Sequence, residues 1–408
     1  MKVELRPYQR DGIRHLLSFM HACLFYDPGL GKTITALLSY VLIRQKKPGT
    51  KLILFAPLRI AQTVWQAEIE KWDDTRNLGL KVVLLHGATK KRRLWTEALE
   101  ADITIVNYEG IKWFYHETMK NDFDWPWDIM CFDELSKMKD PGTQRSKMIR
   151  KLLGRCERRW GLTGTPAPNS LQELFGQMFV VDGGLALGTS KWRFEQTYFT
   201  SNPFTHDLRL KPGAEERIAA RIAPIVHDLR AEDHLDMPER IDVWHDLRMS
   251  PAHKKIYDEL EKESLLEFEA SGQSVTAMTA GVLWGKLQQV CQGFLYTVST
   301  ADNTRASQRF DETKLCALED IIEEAAGQSV LVMYRFQEDL VSLQDRFPEA
   351  VTLLRNNTDR VVREWNAKQI PILLANPQSA AHGLNLQAGG HIMVYYCLLY
   401  TSPSPRDA

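Results

Sequence analysis

The first half of the chain alternates short, continuous apolar runs with stretches that carry apolar residues at helical spacing. The predicted strands are HACLFYD, KLILFAP, KVVLLHG, ADITIVNY, WDIMCFDE and RRWGLTGTP. Continuous runs are typical of parallel strands that are covered on both faces. Between them, Lys32–Arg44 and Ile60–Trp72 have the spacing of amphipathic helices. Residues 1–180 are therefore predicted to form a doubly wound α/β domain.

The same alternation returns near the end of the chain. QSVLVMYRF, AVTLL, PILLANP and GHIMVYY are predicted strands, and QEDLVSLQDRF and TDRVVREWNAK are predicted helices. Residues 311–396 are therefore expected to form a second α/β lobe. The stretch 181–310 is mixed, with a long charged helix predicted at Ala252–Ala270, and it is expected to be a helical linker region.

Composition limits the partners and the compartment. The formal net charge is −1, so binding to nucleic acid requires local basic surfaces rather than a global positive field. The six cysteines form no C-x-x-C pair, which favours reduced cysteines in a cytoplasmic protein over a zinc site or a disulfide framework. No apolar run approaches the roughly 18 residues needed to span a membrane, so no membrane partner is expected.

The end of the chain follows neither pattern. Residues 397–408, CLLYTSPSPRDA, resemble the translation of a transposon-type sequencing adapter, and we expect them to be an artefact of sequencing. The alternative is a natural disordered tail with Ser-Pro turns. The genomic DNA distinguishes the two, because different codons there would contradict the first interpretation.

The segment FYDPGLGKT, at 25–33, lies between a predicted strand and a predicted helix, which is the context of a phosphate-binding loop. Its glycines let the backbone approach phosphate oxygens, Lys32 would contact the β- and γ-phosphates, and Thr33 would ligate Mg²⁺. Tyr26 replaces the first glycine of the usual pattern, and a structural turn without nucleotide is the alternative. The residues expected to bind nucleotide are Asp27, Gly29, Leu30, Gly31, Lys32 and Thr33.

A pair of carboxylates ends another predicted strand. Asp133 and Glu134 follow the apolar run 127–132, so they are expected in the ligand crevice at the carboxyl edge of the sheet. Asp133 would hold Mg²⁺, and Glu134 would orient or deprotonate the attacking water. A solvated acidic strand end is the alternative, which the preceding glycine loop disfavours. Together the motifs predict hydrolysis of a nucleoside triphosphate, with Lys32, Asp133 and Glu134 as catalytic residues.

These segments resemble the motifs of superfamily-two helicases. YDPGLGKT, LFAPLRIAQTVWQAEIEKW, FDELSKMKD and GLTGTPAPNSLQELFGQM resemble motifs I, Ia, II and III. The combination of GLGKT with TGTP and NSLQELF is similar to the Swi/Snf-type DNA translocase branch, especially its compact phage and bacterial members. The resemblance covers residues 1–396 and implies an α/β fold of two RecA-like, doubly wound parallel-sheet lobes, the second one incomplete.

The resemblance also implies roles outside the glycine loop. LRPYQRDGI, at 5–13, resembles the Q-motif, in which Gln9 would read adenine and Arg6 would help to frame its pocket. Gln9 could otherwise be a plain surface residue. Hydroxyl groups of GLTGTP could bond the acidic pair and sense the γ-phosphate. ANPQSAAHGLNLQAGGHIMVYY resembles motif V, with Ser379, His382 and Asn385 in its core.

Two departures qualify the resemblance. Motif II reads DELS rather than DEAH, so no histidine at its end couples the lobes. Motif VI, which would carry the arginine finger, is absent, because the sequence stops or becomes artefact where that motif would follow. An arginine finger is worth about 10³–10⁵ in rate. The chain as given is therefore expected to bind ATP·Mg²⁺ weakly and to hydrolyse it hardly at all.

Polar residues in loops at strand ends are expected to contact nucleic acid. They are Arg59, Asn107, Tyr108, Lys137, Arg145 and Lys147, joined by Ser379, His382 and Asn385. Together they could line a groove that tracks phosphates, although each could equally be a solvated loop residue. The tryptophans, such as Trp65 and Trp72, are expected to be mostly core residues.

The predicted function is an ATP-dependent DNA translocase or helicase-like motor. ATP and Mg²⁺ are the expected cofactors, and DNA, preferably double-stranded, is the expected partner. Two alternatives stay open. One is an ATP-gated DNA-binding subunit of a restriction or repair assembly, and the other is an RNA helicase.

Overall fold

The computed structural model divides the chain into two compact units, residues 1–239 and 240–408. The residues that it describes are 4–86, 91–120, 125–167, 170–201, 208–234, 241–270, 277–298, 305–354, 356–377, 384 and 386–397. The domain boundaries predicted at 180 and 310 stay predictions. Each unit contains a parallel sheet, and each is described by itself below.

The first unit is built on a seven-stranded sheet in the order β3-β4-β2-β5-β6-β1-β9, in which every neighbouring pair is parallel. Two further strands, β7 and β8, pair as an antiparallel hairpin. The strands are β1 (His21–Tyr26), β2 (Leu52–Ala56), β3 (Val82–Leu85), β4 (Ile103–Asn107), β5 (Ile129–Asp133), β6 (Arg158–Thr163), β7 (Phe199–Ser201), β8 (Leu208–Leu210) and β9 (Val226–Leu229).

Helices cover both faces of this sheet. They are α1 (Pro7–Ser18), α2 (Lys32–Lys46), α3 (Leu58–Lys71), α4 (Asp73–Arg76), α5 (Lys91–Glu100), α6 (Ile111–Lys120), α7 (Gln144–Arg150), α8 (Glu173–Asp182), α9 (Lys191–Tyr198) and α10 (Ala214–Ile222). Helices α1 to α3 share one core with the sheet, and α5 to α8 share the other. Short 3-10 turns occupy Tyr108–Gly110, Leu135–Met138, Leu153–Arg155 and Ala223–Ile225.

Strand β1 shows why the apolar runs are continuous. Ala22 and Leu24 belong to the core on one face, whereas Cys23 and Phe25 belong to the core on the other. Successive side chains of a strand point to opposite faces, so a strand with a helix layer on each side needs apolar residues at every position. The six strands predicted for this half of the chain are confirmed, as are the helices predicted after β1 and β2.

The second unit contains a four-stranded parallel sheet in the order β13-β14-β12-β15 and an antiparallel hairpin, β10-β11. Its strands are β10 (Phe294–Val298), β11 (Arg305–Arg309), β12 (Val330–Met333), β13 (Val351–Thr352), β14 (Ile372–Ala375) and β15 (Ile392–Tyr395). Its helices are α11 (Pro251–Ala270), α12 (Ala277–Cys291), α13 (Thr313–Glu324), α14 (Gln337–Arg346) and α15 (Thr358–Asn366).

Helices α13 and α14 share a core with one face of this sheet, and α15 shares a core with the other. The four strands predicted here are confirmed, as are the helices predicted for QEDLVSLQDRF, TDRVVREWNAK and Ala252–Ala270, whereas α13 was not predicted. The fold class, α/β with two parallel sheets, is therefore confirmed.

Strand β9 of the first unit was not predicted, because the sequence VHDL has no apolar run. All six cysteines lie in described stretches and form no disulfide there, and no helix among the described residues could span a membrane.

Candidate functional site

The glycine loop joins β1 to α2 at the carboxyl edge of the seven-stranded sheet. Gly29 and Gly31 have φ of +90° and +80°, in the left-handed region where a side chain would be strained. Gly31 is the N-cap of α2, so the unpaired N–H groups of the first turn and the positive end of the helix dipole face the loop. This geometry suits an anion such as a phosphate. Leu30 is fully buried and its N–H donates to the carbonyl of Asp27 at 3.4 Å, so its contact with nucleotide stays a prediction.

The ammonium group of Lys32 folds back onto the start of the loop. Its Nζ donates to the carbonyl oxygens of Tyr26 at 2.7 Å and of Asp27 at 3.5 Å. Burial lowers the pKa of Lys32, and the negative charges of Glu134 and Asp133 oppose that shift. The lysine and the acidic pair therefore lie within electrostatic reach of each other, as the two motifs require.

The segment that begins α1 lies against the glycine loop. Gln9 Nε2 donates to the carbonyl of Leu30 at 3.3 Å, and Gln9 Oε1 accepts from the backbone N–H of Arg6 at 3.0 Å. A Cβ on Gly31 would lie 2.4 Å from Gln9 Nε2, so this close approach requires glycine. Arg6 Nη1 donates to the carbonyl of His234 at 3.4 Å. Gln9 and Arg6 thus lie beside the loop, and their roles at adenine stay predictions.

A loop that was not predicted also contacts this region. After β9, the backbone N–H of Ala231 donates to Asp27 Oδ2 at 2.9 Å, and the N–H of Asp27 donates to the carbonyl of Leu229 at 3.1 Å. The rings of Tyr8 and His234 lie 4.8 Å apart, centroid to centroid. Asp27, predicted to bind nucleotide, therefore also anchors the loop after β9 to the glycine loop.

Asp133 ends β5, is only 4% exposed, and accepts a hydrogen bond at each carboxylate oxygen. The indole Nε1 of Trp65 donates to Oδ2 at 2.7 Å, and the backbone N–H of Glu134 donates to Oδ1 at 3.1 Å. Burial raises the pKa of Asp133 to about 6, against the opposing effect of the indole hydrogen bond. A carboxylate has about four acceptor sites, so these two bonds leave capacity for a cation.

Glu134 has a φ of +56°, which is uncommon for a residue with a side chain. The hydroxyl of Tyr108 donates to the carbonyl of Asp133 at 2.9 Å and to that of Glu134 at 3.4 Å, and these bonds hold the turn in place. Burial raises the pKa of Glu134, while Lys32 and Lys137 lower it. A carboxylate with a raised pKa accepts a proton more readily near neutral pH, which suits a general base.

The GLTGTP turn follows β6 and reaches the glycine loop. A Cβ on Gly164 would lie 3.3 Å from Lys32 Nζ and 3.2 Å from the carbonyl oxygen of Tyr26. Thr163 is buried, and its Oγ1 accepts from the backbone N–H of Thr165 at 3.1 Å. Thr163 therefore shapes the turn that brings Gly164 next to Lys32. The predicted γ-phosphate sensing by this segment stays a prediction.

Two oxygen groups fit the predicted role of Mg²⁺ ligands. Thr33 lies in the first turn of α2, and Asp133 lies at the end of β5, so both come from the same edge of the sheet. The described stretches contain no cluster of three or more His, Cys, Asp or Glu residues that could hold a metal by itself. Mg²⁺ at nucleotide sites is usually held by one or two protein groups together with phosphates, and a hydroxyl with a carboxylate matches that pattern.

Two of the predicted nucleic-acid contacts point into the protein. Asn107 is 6% exposed and Tyr108 is 2% exposed. Asn107 Nδ2 donates to Glu109 Oε2 at 2.9 Å, and Tyr108 bonds the backbone of the acidic pair as described above. Both side chains thus serve interior hydrogen bonds at the carboxyl end of β4, and contact with nucleic acid stays a prediction for them.

Three of the remaining predicted contacts lie in described segments that follow the acidic pair. Lys137 lies in the turn Leu135–Met138, and Arg145 and Lys147 lie on α7, with Lys147 exposed. Arg59 lies in α3, but its side chain is outside the described residues. Ser379, His382 and Asn385 also lie outside them.

Trp65 and Tyr108 form hydrogen bonds with the acidic pair, a role that sequence reasoning did not assign to either residue. The spacing of Trp65 on its helix indicates a core position, which is correct, since it is fully buried. Its hydrogen bond to Asp133 joins a helix to the end of a strand far along the chain and has no local sequence signal. For Tyr108, the available sequence signal was its position directly after a predicted strand, at the edge where the acidic pair was also expected.

The P-loop class of α/β proteins is defined by two features of this sheet. One is a glycine loop that caps the helix after a strand, and the other is an acidic pair at the end of another strand of the same parallel sheet. Within that class, the chain belongs to the SNF2-related family, because the family's SNF2-related domain matches residues 8–293. The resemblance to the Swi/Snf-type branch is thereby confirmed.

Several known proteins are similar to this chain. A protein named p41, of Acyrthosiphon pisum secondary endosymbiont phage 1, is 32% identical over 96% of this chain and 84% of its own length. A Bacillus subtilis (strain 168) protein named as a candidate ATP-dependent helicase/translocase, YwqA, is 25% identical over 97% of this chain and 43% of its own length. The solved Sulfolobus solfataricus SWI2/SNF2 ATPase core in complex with dsDNA is 20% identical, with a TM-score of 0.49 over 97% of this chain and 82% of that one.

Proposed function

We propose that this protein is an ATP-dependent motor that couples hydrolysis of ATP to movement on DNA, preferably duplex DNA. The observation that carries the proposal is the meeting of the glycine loop and the acidic pair at one edge of the seven-stranded sheet. Membership of the SNF2-related family supports it, and so does the helicase/translocase name of the Bacillus subtilis relative.

The roles of the residues follow from their positions. The N–H groups of the loop and of the first turn of α2 would bind phosphate oxygens. Lys32, whose Nζ now donates to two loop carbonyls, would neutralise charge on the β- and γ-phosphates. Glu134 would orient the attacking water and accept its proton, a task that its raised pKa assists.

Thr33 and Asp133 would hold Mg²⁺ together with the phosphates. The ion would supply neutralisation of the charge that develops on the phosphoryl oxygens. Asp133 suits this role because its carboxylate is fixed by two hydrogen bonds before any ligand arrives. Gln9, next to the loop, would read the adenine base, and Arg6 would border it.

Two variants test the nucleotide site. Lys32→Ala should lower the affinity for a fluorescent ATP analogue about 100-fold or more, because a buried phosphate-binding charge is lost. Lys46→Ala, an exposed lysine at the end of the same helix, should leave the affinity unchanged. Glu134→Gln should keep binding and abolish hydrolysis. Equal affinities in Lys32→Ala and Lys46→Ala would refute the nucleotide site.

Movement on DNA needs its own measurement. Displacement of a third strand from a DNA triplex reports translocation along the duplex without strand separation, and Lys32→Ala should abolish it while duplex binding persists. Stimulation of ATP hydrolysis is compared among duplex DNA, single-stranded DNA and RNA. Stimulation by RNA alone would indicate an RNA helicase. Nucleotide-dependent DNA binding without displacement would indicate an ATP-gated DNA-binding subunit.

A further inference from the structure

Two side-chain donors from separate segments converge on the acidic pair. Trp65, on α3, donates to the carboxylate of Asp133, and Tyr108, directly after β4, donates to the backbone carbonyls of Asp133 and Glu134. The two donors are 0% and 2% exposed, and Asp133 is 4% exposed. Water does not compete for these hydrogen bonds, so each one constrains the acidic pair more strongly than a surface bond would.

The segments that carry the donors follow two strands on the same side of β5. Strand β2 pairs with β5, β4 pairs with β2, and α3 and the turn Tyr108–Gly110 follow these strands at the carboxyl edge. Arg59 lies on α3 with Trp65, and Asn107 ends β4 directly before Tyr108; both are predicted to contact nucleic acid. The donors thus lie in or directly beside the segments predicted to contact nucleic acid, and they form hydrogen bonds with the acidic pair.

We propose that Trp65 and Tyr108 are positioning residues that link nucleic acid to the acidic pair. They fix the orientation of the Asp133 carboxylate and the left-handed backbone of Glu134, so a shift of α3 or of the turn after β4 on nucleic-acid contact changes the geometry at which Mg²⁺ and water are held. This inference rests on the proposed function, and it adds the route by which DNA acts on the nucleotide site.

The structure of the acidic pair explains why positioning is needed. The backbone of Glu134 lies in a conformation that is unfavourable for a residue with a side chain and that persists only when its surroundings impose it. The hydroxyl of Tyr108 bonds the carbonyl on each side of that strained residue. Groups that orient a metal-binding carboxylate typically change metal affinity 10- to 100-fold when they are removed, as a rough range.

The chain offers a matched control for each donor. Trp160, on β6, is equally buried, and its Nε1 has no hydrogen-bond partner among the described residues. Tyr40, on α2, is also fully buried, and its hydroxyl donates to two carbonyls, those of Thr50 at 3.1 Å and Asp102 at 3.0 Å, away from the acidic pair. Substitution by Phe therefore removes the same kind of group from a fully buried position without removing a hydrogen bond to the acidic pair.

The experiment measures the affinity of a fluorescent ATP analogue with Mg²⁺ and with EDTA, and takes the ratio as the gain from Mg²⁺. Trp65→Phe and Tyr108→Phe should lower this gain about 10- to 100-fold while the affinity in EDTA stays unchanged. Trp160→Phe and Tyr40→Phe should keep the wild-type gain. A duplex oligonucleotide should raise the gain in the wild type and in both controls, but not in Trp65→Phe or Tyr108→Phe.

Each pair of variants decides the role of its own residue. An equal gain from Mg²⁺ in Trp65→Phe and Trp160→Phe, or in Tyr108→Phe and Tyr40→Phe, refutes positioning by that residue. A DNA-induced rise that survives in both donor variants refutes the link to nucleic acid. Failure of the proposed function appears instead in the wild type, as absence of nucleotide binding or of any response to DNA. Without that response the link to nucleic acid also falls, and the ratio measured without DNA still decides the positioning role.

Discussion

The side-chain amide of Gln9 lies directly over Gly31, and a Cβ at Gly31 would fall 2.4 Å from Gln9 Nε2. The amide is held there by its bond to the carbonyl of Leu30. The start of α1 and the glycine loop, which are far apart in sequence, are therefore fitted to each other with no room for a side chain. The proposed base-reading and phosphate-binding parts of the site are thus in direct contact in the first unit.

Gly31→Ala should consequently do more harm than backbone strain alone. Alanine at a φ of +80° costs about 1–2 kcal/mol, and the clash with Gln9 adds to it. Gly49→Ala is the matched control, because Gly49 has a φ of +87° and no other atom lies within 4 Å of the position that its Cβ would take. Urea unfolding should show the larger loss for Gly31→Ala, and only that variant should lose affinity for an ATP analogue. Equal losses of stability and unchanged affinity would contradict the fit between Gln9 and Gly31.

The left-handed backbone of Glu134 should make a glycine variant at this position more stable than an alanine variant. Because its φ is +56°, Glu134→Gly should be about 1 kcal/mol more stable than Glu134→Ala, although both lack the proposed base and should not hydrolyse ATP. His116, exposed in the middle of α6, supplies the comparison, since there the alanine variant should exceed the glycine variant by about 1 kcal/mol. The same order of Ala and Gly at both positions would show that the backbone at Glu134 is unstrained.

The sequence could predict the strands and the two nucleotide-binding motifs because their signals are local. An apolar run at β5 followed by Asp133 and Glu134, or a glycine loop before α2, is legible within about ten residues. A parallel sheet then brings the carboxyl ends of the strands to one edge, so the meeting of the motifs follows from the fold class.

The partners of those residues could not be predicted in the same way. Trp65 on α3 and Asp133 at the end of β5 form a hydrogen bond although they are far apart in the sequence. Tyr108 points into the protein although it follows a strand whose end is predicted to contact nucleic acid. Such contacts depend on the register of β2, β4 and β5 and on the angle of α3, none of which has a sequence period. Strand β9 was missed for a related reason. Its residues carry no strand pattern of their own, and it is a strand because its backbone pairs with β1.

Gly176→Ala should disturb the segment that follows the acidic pair. On α8, a Cβ at Gly176 would lie 2.4 Å from the carbonyl oxygen of Lys139 and 2.6 Å from that of Met138, and backbone atoms cannot move aside cheaply. A loss of about 1–3 kcal/mol is expected in urea unfolding, with a fall in the gain in ATP-analogue affinity that Mg²⁺ gives. Gly154→Ala, with nothing within 4 Å, should change neither quantity. A stable, unaffected Gly176→Ala protein would mean that α8 packs less closely than the structure shows.

The second unit carries its own pH dependence at Asp339. This carboxylate is 2% exposed, and it accepts from the backbone N–H groups of Phe336 at 2.8 Å and Arg335 at 3.3 Å. Burial raises the pKa of Asp339 to about 6, against the effect of these bonds. Because the folded state binds the proton more tightly than the unfolded chain, this group contributes stability at low pH, and the contribution is lost as pH rises from about 4 through about 6.

Asp339→Asn should therefore gain stability relative to the wild type as pH rises. The amide oxygen can still accept from both backbone groups, but no charge is left to bury, so the difference in unfolding free energy should move in favour of the variant by about 1–3 kcal/mol between about pH 4 and about pH 7. Hydrogen exchange of β12 and α14 peptides, compared with the wild type at each pH, measures this for the second unit alone. Asp345→Asn, whose carboxylate on the same helix is 65% exposed, controls for the loss of a charge. A difference between Asp339→Asn and the wild type that stays constant with pH would show that burial of Asp339 does not govern its protonation.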